Sequence, residues 1–344
     1  MFRVVRSKIF RLVLLLVIII SVAVGLYAWR WLHLPLDIPA DRQVIELSPG
    51  DSLSRVAYRL ENGVNLQHPR LLILYAKAIK ATNVKLGEYE LPAKITPVEL
   101  LQLLHDGKVK QRSLTLVEGI TFAQALQLIS QNPFLQPELQ TEDAASVGQR
   151  LGVEQSNPEG WLFPDTYVYS KYTTDWDLIQ QAYQRMQQML EEEWADRAEG
   201  LPYETPYEAL IMASIVEKET GAPHERAQIA GVFTRRLKLG MRLQTDPTVI
   251  YGMGSSYQGK IGRSHLREKT PYNTYTIDGL PPTPIALPGR DAIHATLHPA
   301  DGDSLFFVAK GDGTHQFSAT LAEHNAAVRK YQLQRSSTYR STVQ

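Results

Sequence analysis

The chain has 344 residues, 44% of them hydrophobic, so it is long enough to bury one large core or two smaller ones. Its 36 Lys and Arg residues balance its 36 Asp and Glu residues, which argues against a nucleic-acid-binding protein, where a basic excess is usual. The sequence contains no cysteine, and this excludes disulfides, thiolate catalysis and cysteine zinc sites.

The N-terminus has the pattern of a membrane anchor. Basic residues precede a stretch without charged side chains, Leu12–Trp29, which at roughly 18 residues reaches the length that spans a bilayer. By the positive-inside rule we predict a cytoplasmic tail at 1–11, a single transmembrane helix at 12–32, and the rest of the chain outside the cytoplasm. A signal peptide cleaved near Ser21–Ala23 is the alternative, which the length of the apolar run disfavours.

Short strands, turns and helices alternate after the anchor. The stretch 33–41 is predicted to be a linker, because its prolines remove backbone donors and restrict their neighbours. Val44–Leu47 is typical of a strand, and it leads into a turn and an amphipathic helix. The segment Ser48–Ala57 resembles the start of a LysM domain, a small glycan-binding module, although an ordinary small α+β domain would look alike. We predict a LysM-like and connecting domain at 42–155.

Helix starts and ends are marked by local chemistry in several places. Three starts carry the Thr-x-x-Glu capping box: Thr96 with Glu99, Thr205 with Glu208, and Thr320 with Glu323. A further helix is predicted from about Glu225 to Leu239, and its Arg235, Arg236 and Lys238 are interpreted as ordinary helix-end cations. From Met241 to Gly289 helical periodicity is weak, which predicts a long irregular segment with a functional role.

The helix that ends at Glu219 offers the strongest candidate for chemistry. Glu219 closes an apolar stripe on one helical face, which consists of Met212, Ile215 and Val216. Poor solvation there would raise the pKa of the carboxyl and suit a general acid. Glu217 lies about 200° away around the helix, so it is kept as a supporting candidate only. The alternative is that Glu219 simply ends the helix at the surface.

Several long motifs together resemble the YceG-like family. They are Ala213–Thr220, Arg242–Gly252, Pro271–Tyr275, Gly279–Pro282, and His315 and Phe317 with His324 and Asn325. The resemblance covers essentially the whole chain, including the anchor and the LysM-like segment. It implies an α+β fold in which a LysM-like domain precedes a mixed α+β lytic domain, predicted here at 156–344. It also implies a catalytic glutamate, which aligns with Glu219.

The resemblance further implies an activity. Members of the family cut peptidoglycan strands between N-acetylmuramic acid and N-acetylglucosamine and leave 1,6-anhydro ends. Together with the predicted N-terminal anchor, this activity implies a location in the inner (cytoplasmic) membrane. One carboxyl suffices for such a reaction, because it can protonate the leaving oxygen and then accept the proton of the muramyl 6-hydroxyl. Most glycosidases need two carboxyls. Asp246 is a candidate second carboxylate, with an Asp-Pro turn as the alternative.

Polar and aromatic residues in the irregular segment suit a glycan groove, and we predict substrate contacts by Gln244, Asn273 and Tyr275. The expected role is to terminate or trim nascent strands, with peptidoglycan synthases as candidate protein partners. No cofactor is expected. A non-catalytic peptidoglycan-binding scaffold of the cell-wall synthesis machinery is the alternative function. A tethered peptidase has little support, because cysteine, zinc-protease and Gly-x-Ser-x-Gly signatures are missing from the sequence.

Four histidines bear on the question of a metal site. His294 and His298 have the spacing of two ligands on one helix, but the sequence shows no clear third ligand beside them. No metal site is therefore predicted. His315 and His324 are interpreted as surface residues, with a position at the cleft as the alternative.

Overall fold

The computed structural model describes residues 2–64, 66–139, 142–153 and 157–332. The chain divides into two compact units, one formed by Met1–Arg112 with Val168–Tyr172 and the other by Ser113–Tyr167 with Thr173–Gln344. Helices and short strands occur in both, which confirms the mixed α+β class. The predicted domain boundary between residues 155 and 156 lies outside the described residues, so that division stays a prediction.

The first unit begins with helix α1 (Phe2–Leu32). Its segment Ile9–Leu32 has a mean hydropathy of 2.9 and is long and apolar enough to cross a membrane. The apolar side chains of this segment are exposed through most of its length. The last turn differs, because Trp31 and Leu32 are buried in the core of the unit. The predicted N-terminal apolar helix is confirmed.

The rest of the first unit is a small helix-and-strand assembly. Its elements are β1 (Leu36–Asp37), β2 (Val44–Leu47), α2 (Leu53–Gly63), α3 (Pro69–Ala78), β3 (Gly87–Glu90), β4 (Lys94–Ile95) and α4 (Pro97–Asp106). Strand β1 pairs with β4 and strand β2 with β3, both antiparallel. Strand β1 falls inside the predicted linker, where pairing with β4 satisfies backbone groups between the prolines. The apolar faces of α2, α3 and α4 meet in one core.

The unit boundaries fall at strands β5 (Arg112–Thr115) and β6 (Thr166–Tyr169). The second unit then contains α5 (Phe122–Ser130), α6 (Ala144–Leu151), α7 (Asp175–Ala195), α8 (Pro206–Glu219), α9 (Arg226–Lys238), α10 (Asp246–Met253), α11 (Arg290–Leu297), β7 (Phe306–Ala309), β8 (His315–Ser318) and α12 (Leu321–Tyr331). Strands β7 and β8 form an antiparallel pair.

Helix α8 lies at the centre of the second unit. All residues from Ala209 to Val216 are buried, as expected for a helix that is apolar on every side and packed against neighbours. The one hydroxyl in that run is satisfied, because Ser214 Oγ donates to Ile211 O at 2.7 Å and accepts from Ile285 N at 2.9 Å. The helix therefore carries its C-terminal carboxylates into a packed environment.

Two local predictions need correction. The irregular segment from 241 to 289 contains helix α10, which is only eight residues long and therefore too short to show a periodic pattern. The capping box at Thr205 is half formed, because Glu208 N donates to Thr205 Oγ1 while the Glu208 carboxylate accepts from Glu204 N at 2.5 Å. The boxes at Thr96 and Thr320 are confirmed.

Candidate active site

A cleft of about 890 Å³ opens in the second unit at the C-terminal end of α8. Side chains that are far apart in the sequence line it, among them Glu219 from α8, Arg236 from α9, Asp246 from α10, Tyr275 from the irregular segment and His324 from α12. Titratable and polar groups thus converge on one concavity, as expected of a binding or catalytic site.

The carboxyl of Glu219 is half-buried in the wall of this cleft. Burial raises its pKa to about 7, and the negative charge of Asp246 acts in the same direction. A hydrogen bond donated by Thr245 Oγ1 to Oε1 and the positive charge of Arg236 oppose the rise. A carboxyl with a pKa near 7 can both give and take a proton at neutral pH.

Asp246 and Tyr275 form a pair beside Glu219. The Tyr275 hydroxyl donates to Asp246 Oδ1 at 2.7 Å, and both residues line the cleft. Burial raises the pKa of Tyr275, and the hydrogen bond to Asp246 raises it further, so the phenol stays protonated as a donor. The structure thus brings the candidate second carboxylate next to Glu219, while its role in the reaction stays a prediction.

Gln244 and Asn273 occupy different environments. Gln244 lines the cleft and has a φ of 52°, which is uncommon for a residue other than glycine. Asn273 is 1% exposed and is not among the described residues that line the cleft. Its Nδ2 donates to His265 O at 3.0 Å and to Glu268 O at 2.6 Å, while its Oδ1 accepts from Tyr275 N at 3.0 Å. Asn273 therefore holds the loop that presents Tyr275. The substrate contacts predicted for Gln244 and Asn273 remain predictions.

Glu217 lies on another side of α8, as helical geometry requires. Its side chain is 7% exposed, and its Oε2 accepts from Gly289 N at 3.0 Å. Oε1 lies 3.6 Å from Arg226 Nη2. Burial raises the pKa of Glu217. These contacts connect α8 to α9 and to the start of α11, and a supporting role of Glu217 in the reaction stays a prediction.

Arg236 lies in the last turn of α9, as the sequence predicts for a helix-end cation. The sequence did not indicate its second feature, which is that its side chain is 7% exposed and lines the cleft. Its Nε donates to Leu305 O at 2.7 Å and its Nη1 to Leu243 O at 2.8 Å. Burial lowers its pKa. Its i+7 spacing from the buried Ile229 could have revealed the inward-facing position.

The two C-terminal histidines also line the cleft, so the interpretation as surface residues was wrong. His315 is 8% exposed. The Glu225 carboxylate accepts two hydrogen bonds from it, one from the backbone N–H at 2.9 Å and one from Nδ1 at 2.7 Å. His324 stacks on Phe306 with ring centroids 5.2 Å apart. Burial and the nearby Arg236 lower the pKa of His324, so it is neutral at pH 7.

A third carboxyl with a raised pKa, after Glu219 and Glu217, lies at the start of α5. Glu159 is 4% exposed, and burial raises its pKa to about 7. Its Oε1 accepts from Phe122 N at 2.8 Å and its Oε2 from the Tyr251 hydroxyl at 3.0 Å. Glu159 thus serves a helix N-terminus, and no local sequence signal marked it.

The structure places Glu193 of α7 beside His294 and His298, with ligand atoms within 4.8 Å of one another. Glu193 is the third candidate ligand that the sequence spacing did not supply. Its carboxylate accepts from Arg290 Nε at 2.9 Å and His294 Nδ1 at 2.7 Å, and His298 Nε2 lies 2.8 Å from Asp196 O. These contacts join α7 to α11, and the expectation of no metal site stays a prediction.

Comparison with known proteins places the chain among cell-wall enzymes. The model of the YceG-like family matches residues 45–330. The chain is 30% identical over 304 residues to an endolytic murein transglycosylase of Bacillus subtilis strain 168, which covers 83% of this chain and 84% of that protein. It is 29% identical over 339 residues to one from Streptococcus pneumoniae serotype 2 strain D39, covering 87% of this chain and 60% of the longer relative.

A solved structure gives the same assignment. The crystal structure of a yceG-like protein from Listeria monocytogenes superposes with a TM-score of 0.53 at 28% sequence identity, covering 82% of this chain and 98% of that one. The match to the family model extends over most of the 344 residues. This chain belongs to the YceG-like family.

Proposed function

We propose that the protein is an endolytic murein transglycosylase, which cleaves the bond between N-acetylmuramic acid and N-acetylglucosamine within peptidoglycan strands. The observation that carries the proposal is the carboxyl of Glu219, which is half-buried in the wall of a polar cleft and has a pKa of about 7. The relatives from Bacillus subtilis and Streptococcus pneumoniae bear this name, which supports the same activity here.

In the first step the protonated Glu219 gives its proton to the glycosidic oxygen, and the bond from that oxygen to C1 of the muramyl residue breaks. In the second step the muramyl O6 bonds to C1, and its proton passes to the Glu219 carboxylate. The enzyme is then restored, no water is consumed, and the product carries a 1,6-anhydro end. A pKa near 7 matches both halves of this cycle.

The residues around Glu219 have supporting roles in this proposal. Burial raises the pKa of Glu219 and the negative charge of Asp246 adds to the rise. The same charge would stabilise positive charge that develops at C1 of a bound muramyl residue. Tyr275 orients Asp246 through their hydrogen bond. Gln244, Asn273 and Tyr275 contact the glycan in this proposal, and Asn273 also holds the loop that presents Tyr275.

The finer assignment of location also belongs to the proposal. Helix α1 anchors the protein in the inner membrane with residues 1–11 in the cytoplasm, and the LysM-like region at 42–155 and the lytic domain at 156–344 lie outside. Termination or trimming of nascent strands next to peptidoglycan synthases follows from that placement. A reporter that works only in the cytoplasm, fused after Gln344, should be inactive, and strong activity there would contradict the orientation.

Mass spectrometry of purified glycan strands incubated with the protein tests the reaction. We expect internal cuts whose products are lighter by one water than reducing ends. Mainly reducing ends would indicate hydrolysis and would require a second catalytic carboxylate, for which Asp246 is the first candidate. Binding without any cleavage would favour the scaffold alternative.

A further inference from the structure

Thr245 makes a side-chain contact with the proposed acid that no sequence pattern indicated. Its hydroxyl donates a hydrogen bond to Oε1 of Glu219, and Thr245 itself is 2% exposed. A hydroxyl has one proton to give, so this bond uses the whole donor capacity of the side chain. The partner oxygen, Oε1, is therefore fixed as an acceptor.

Two further threonines hold the backbone of Thr245 in place. Thr248 Oγ1 donates to Thr245 O at 2.8 Å, and Thr245 N donates to Thr274 Oγ1 at 3.0 Å. Thr248 and Thr274 are 0% exposed, and their hydroxyl oxygens lie 2.9 Å apart. Thr274 Oγ1 also lies 3.4 Å from Thr245 O, so its proton has an acceptor in either Thr245 O or Thr248 Oγ1. Each of the three hydroxyls is thereby satisfied, which makes the arrangement rigid.

The backbone before Thr245 is also constrained. Gln244 has a φ of 52°, and its N–H donates to Thr274 O at 3.2 Å. A left-handed conformation at a residue other than glycine persists only where the surroundings enforce it, and such residues cluster at functional sites. Here the unusual turn sets the direction of the next side chain, which points at Glu219.

We propose that Thr245 is a positioning residue for the cleavage reaction. Its hydroxyl holds Oε1 of Glu219, so Oε2 is the oxygen that delivers the proton to the glycosidic oxygen and receives it back from the muramyl O6. This inference rests on the proposed function. Because the same hydrogen bond lowers the pKa of Glu219, its loss also moves the pH at which the acid ionises.

The test compares Thr245→Val with Thr245→Ser in the full-length, detergent-solubilised protein acting on purified glycan strands. Thr245→Val keeps the shape and removes the donor, and we expect kcat to fall about 10- to 100-fold with little change in KM, as for loss of a hydrogen bond to a charged group. The alkaline limb of the pH profile should move to higher pH. Thr245→Ser keeps the hydroxyl and should stay within a few-fold of the wild type in kcat.

Thr296→Val is the matched control, since this buried hydroxyl donates to Ala292 O within its own helix α11 and is not among the described residues that line the cleft. If Thr245→Val does not fold, Thr245→Ala against Thr245→Ser isolates the hydroxyl in the same way. An unchanged kcat and pH profile in Thr245→Val, or equal losses in the Ser variant and the variant without a hydroxyl, would overturn the inference. If the wild type releases no anhydro products, the proposed function fails instead.

Discussion

Glu217 and Glu219 lie on the same helix, but their carboxylates make different contacts. Glu217 is held by Gly289 N and Arg226, whereas Glu219 faces the cleft and Thr245. We predict that Glu219→Gln, which keeps size but cannot exchange the proton, lowers turnover by about 10²–10⁴-fold or more. Glu217→Gln should cost much less, because it changes a contact between helices and leaves the acid in place. The rate of anhydro-product release measures both effects.

Thermal melts must accompany that assay, since a misfolded variant would also be inactive. A folded but inactive Glu217→Gln together with a nearly normal Glu219→Gln would show that the catalytic assignment is displaced by two positions. Retained activity in both folded variants would contradict the single-glutamate mechanism.

The sequence could single out Glu219 as a candidate because its signal is local, a carboxylate at the end of an apolar helical stripe, and the structure places this residue in the cleft wall. Thr245 could not be found in this way, since it is 26 residues further along and meets Glu219 only through tertiary packing. The left-handed backbone at Gln244 was equally hidden, because glutamine has no preference for that conformation. Cleft residues contributed by distant elements without a local signal, such as Arg236, therefore required the structure.

At the scale of elements, helix boundaries with strong capping chemistry were predictable. Thr96 and Thr320 each accept from the backbone N–H three residues on, as their capping boxes require. The pairing of β1 with β4 was not predictable, because it joins two-residue strands that are distant in the chain. Short elements carry too few residues for a periodic pattern, and their positions depend on what they pack against.

Helix α9 provides an element-scale prediction at Gly231. In an isolated helix Gly→Ala is stabilising by about 1 kcal/mol. Here a Cβ would lie 2.4 Å from Ala300 O and 2.9 Å from Arg235 Nη1, which itself donates to Ala300 O. Because a backbone oxygen cannot move aside like a flexible side chain, we expect Gly231→Ala to destabilise the protein by about 1–3 kcal/mol, as overpacking does.

Chemical denaturation of the two variants Gly231→Ala and Gly63→Ala measures this effect. A Cβ added at Gly63, at the end of α2, would have nothing within 4 Å, so its alanine variant should be as stable as the wild type or slightly more so. Equal stability of Gly231→Ala and the wild type would mean that α9 shifts freely away from Ala300.

For the whole molecule, composition and one long apolar run were enough to predict a neutral charge balance and a membrane anchor, whereas the α+β class was implied by the family resemblance. The apolar run of helix α1 could be recognised from the sequence alone, because a helix that crosses a bilayer satisfies its backbone hydrogen bonds internally and does not depend on contacts with the rest of the chain. The division into two units was less accessible, because Val168–Tyr172 belongs with the N-terminal unit although it lies far along the sequence.

The burial of Glu159 makes folding a reaction that takes up a proton. Its pKa is about 7 in the folded protein against a usual value of 4.5, so between these values the folded chain binds a proton that the unfolded chain has released. The free energy of unfolding should therefore fall as pH rises from 4.5 to about 7 and then level off. For this one group the fall amounts to about 3 kcal/mol.

Glu159→Gln removes that proton exchange while it preserves an acceptor for Phe122 N. We predict that the variant gains stability relative to the wild type as the pH of a melting series rises from acidic to mildly alkaline. A stability difference that does not change with pH would rule out linkage through Glu159. The carboxyl of Glu219 has its pKa raised in the same direction. Mildly acidic pH therefore both stabilises the folded chain and protonates the proposed catalytic acid, so that a single variable, pH, sets the stability of the protein and the protonation of Glu219 together.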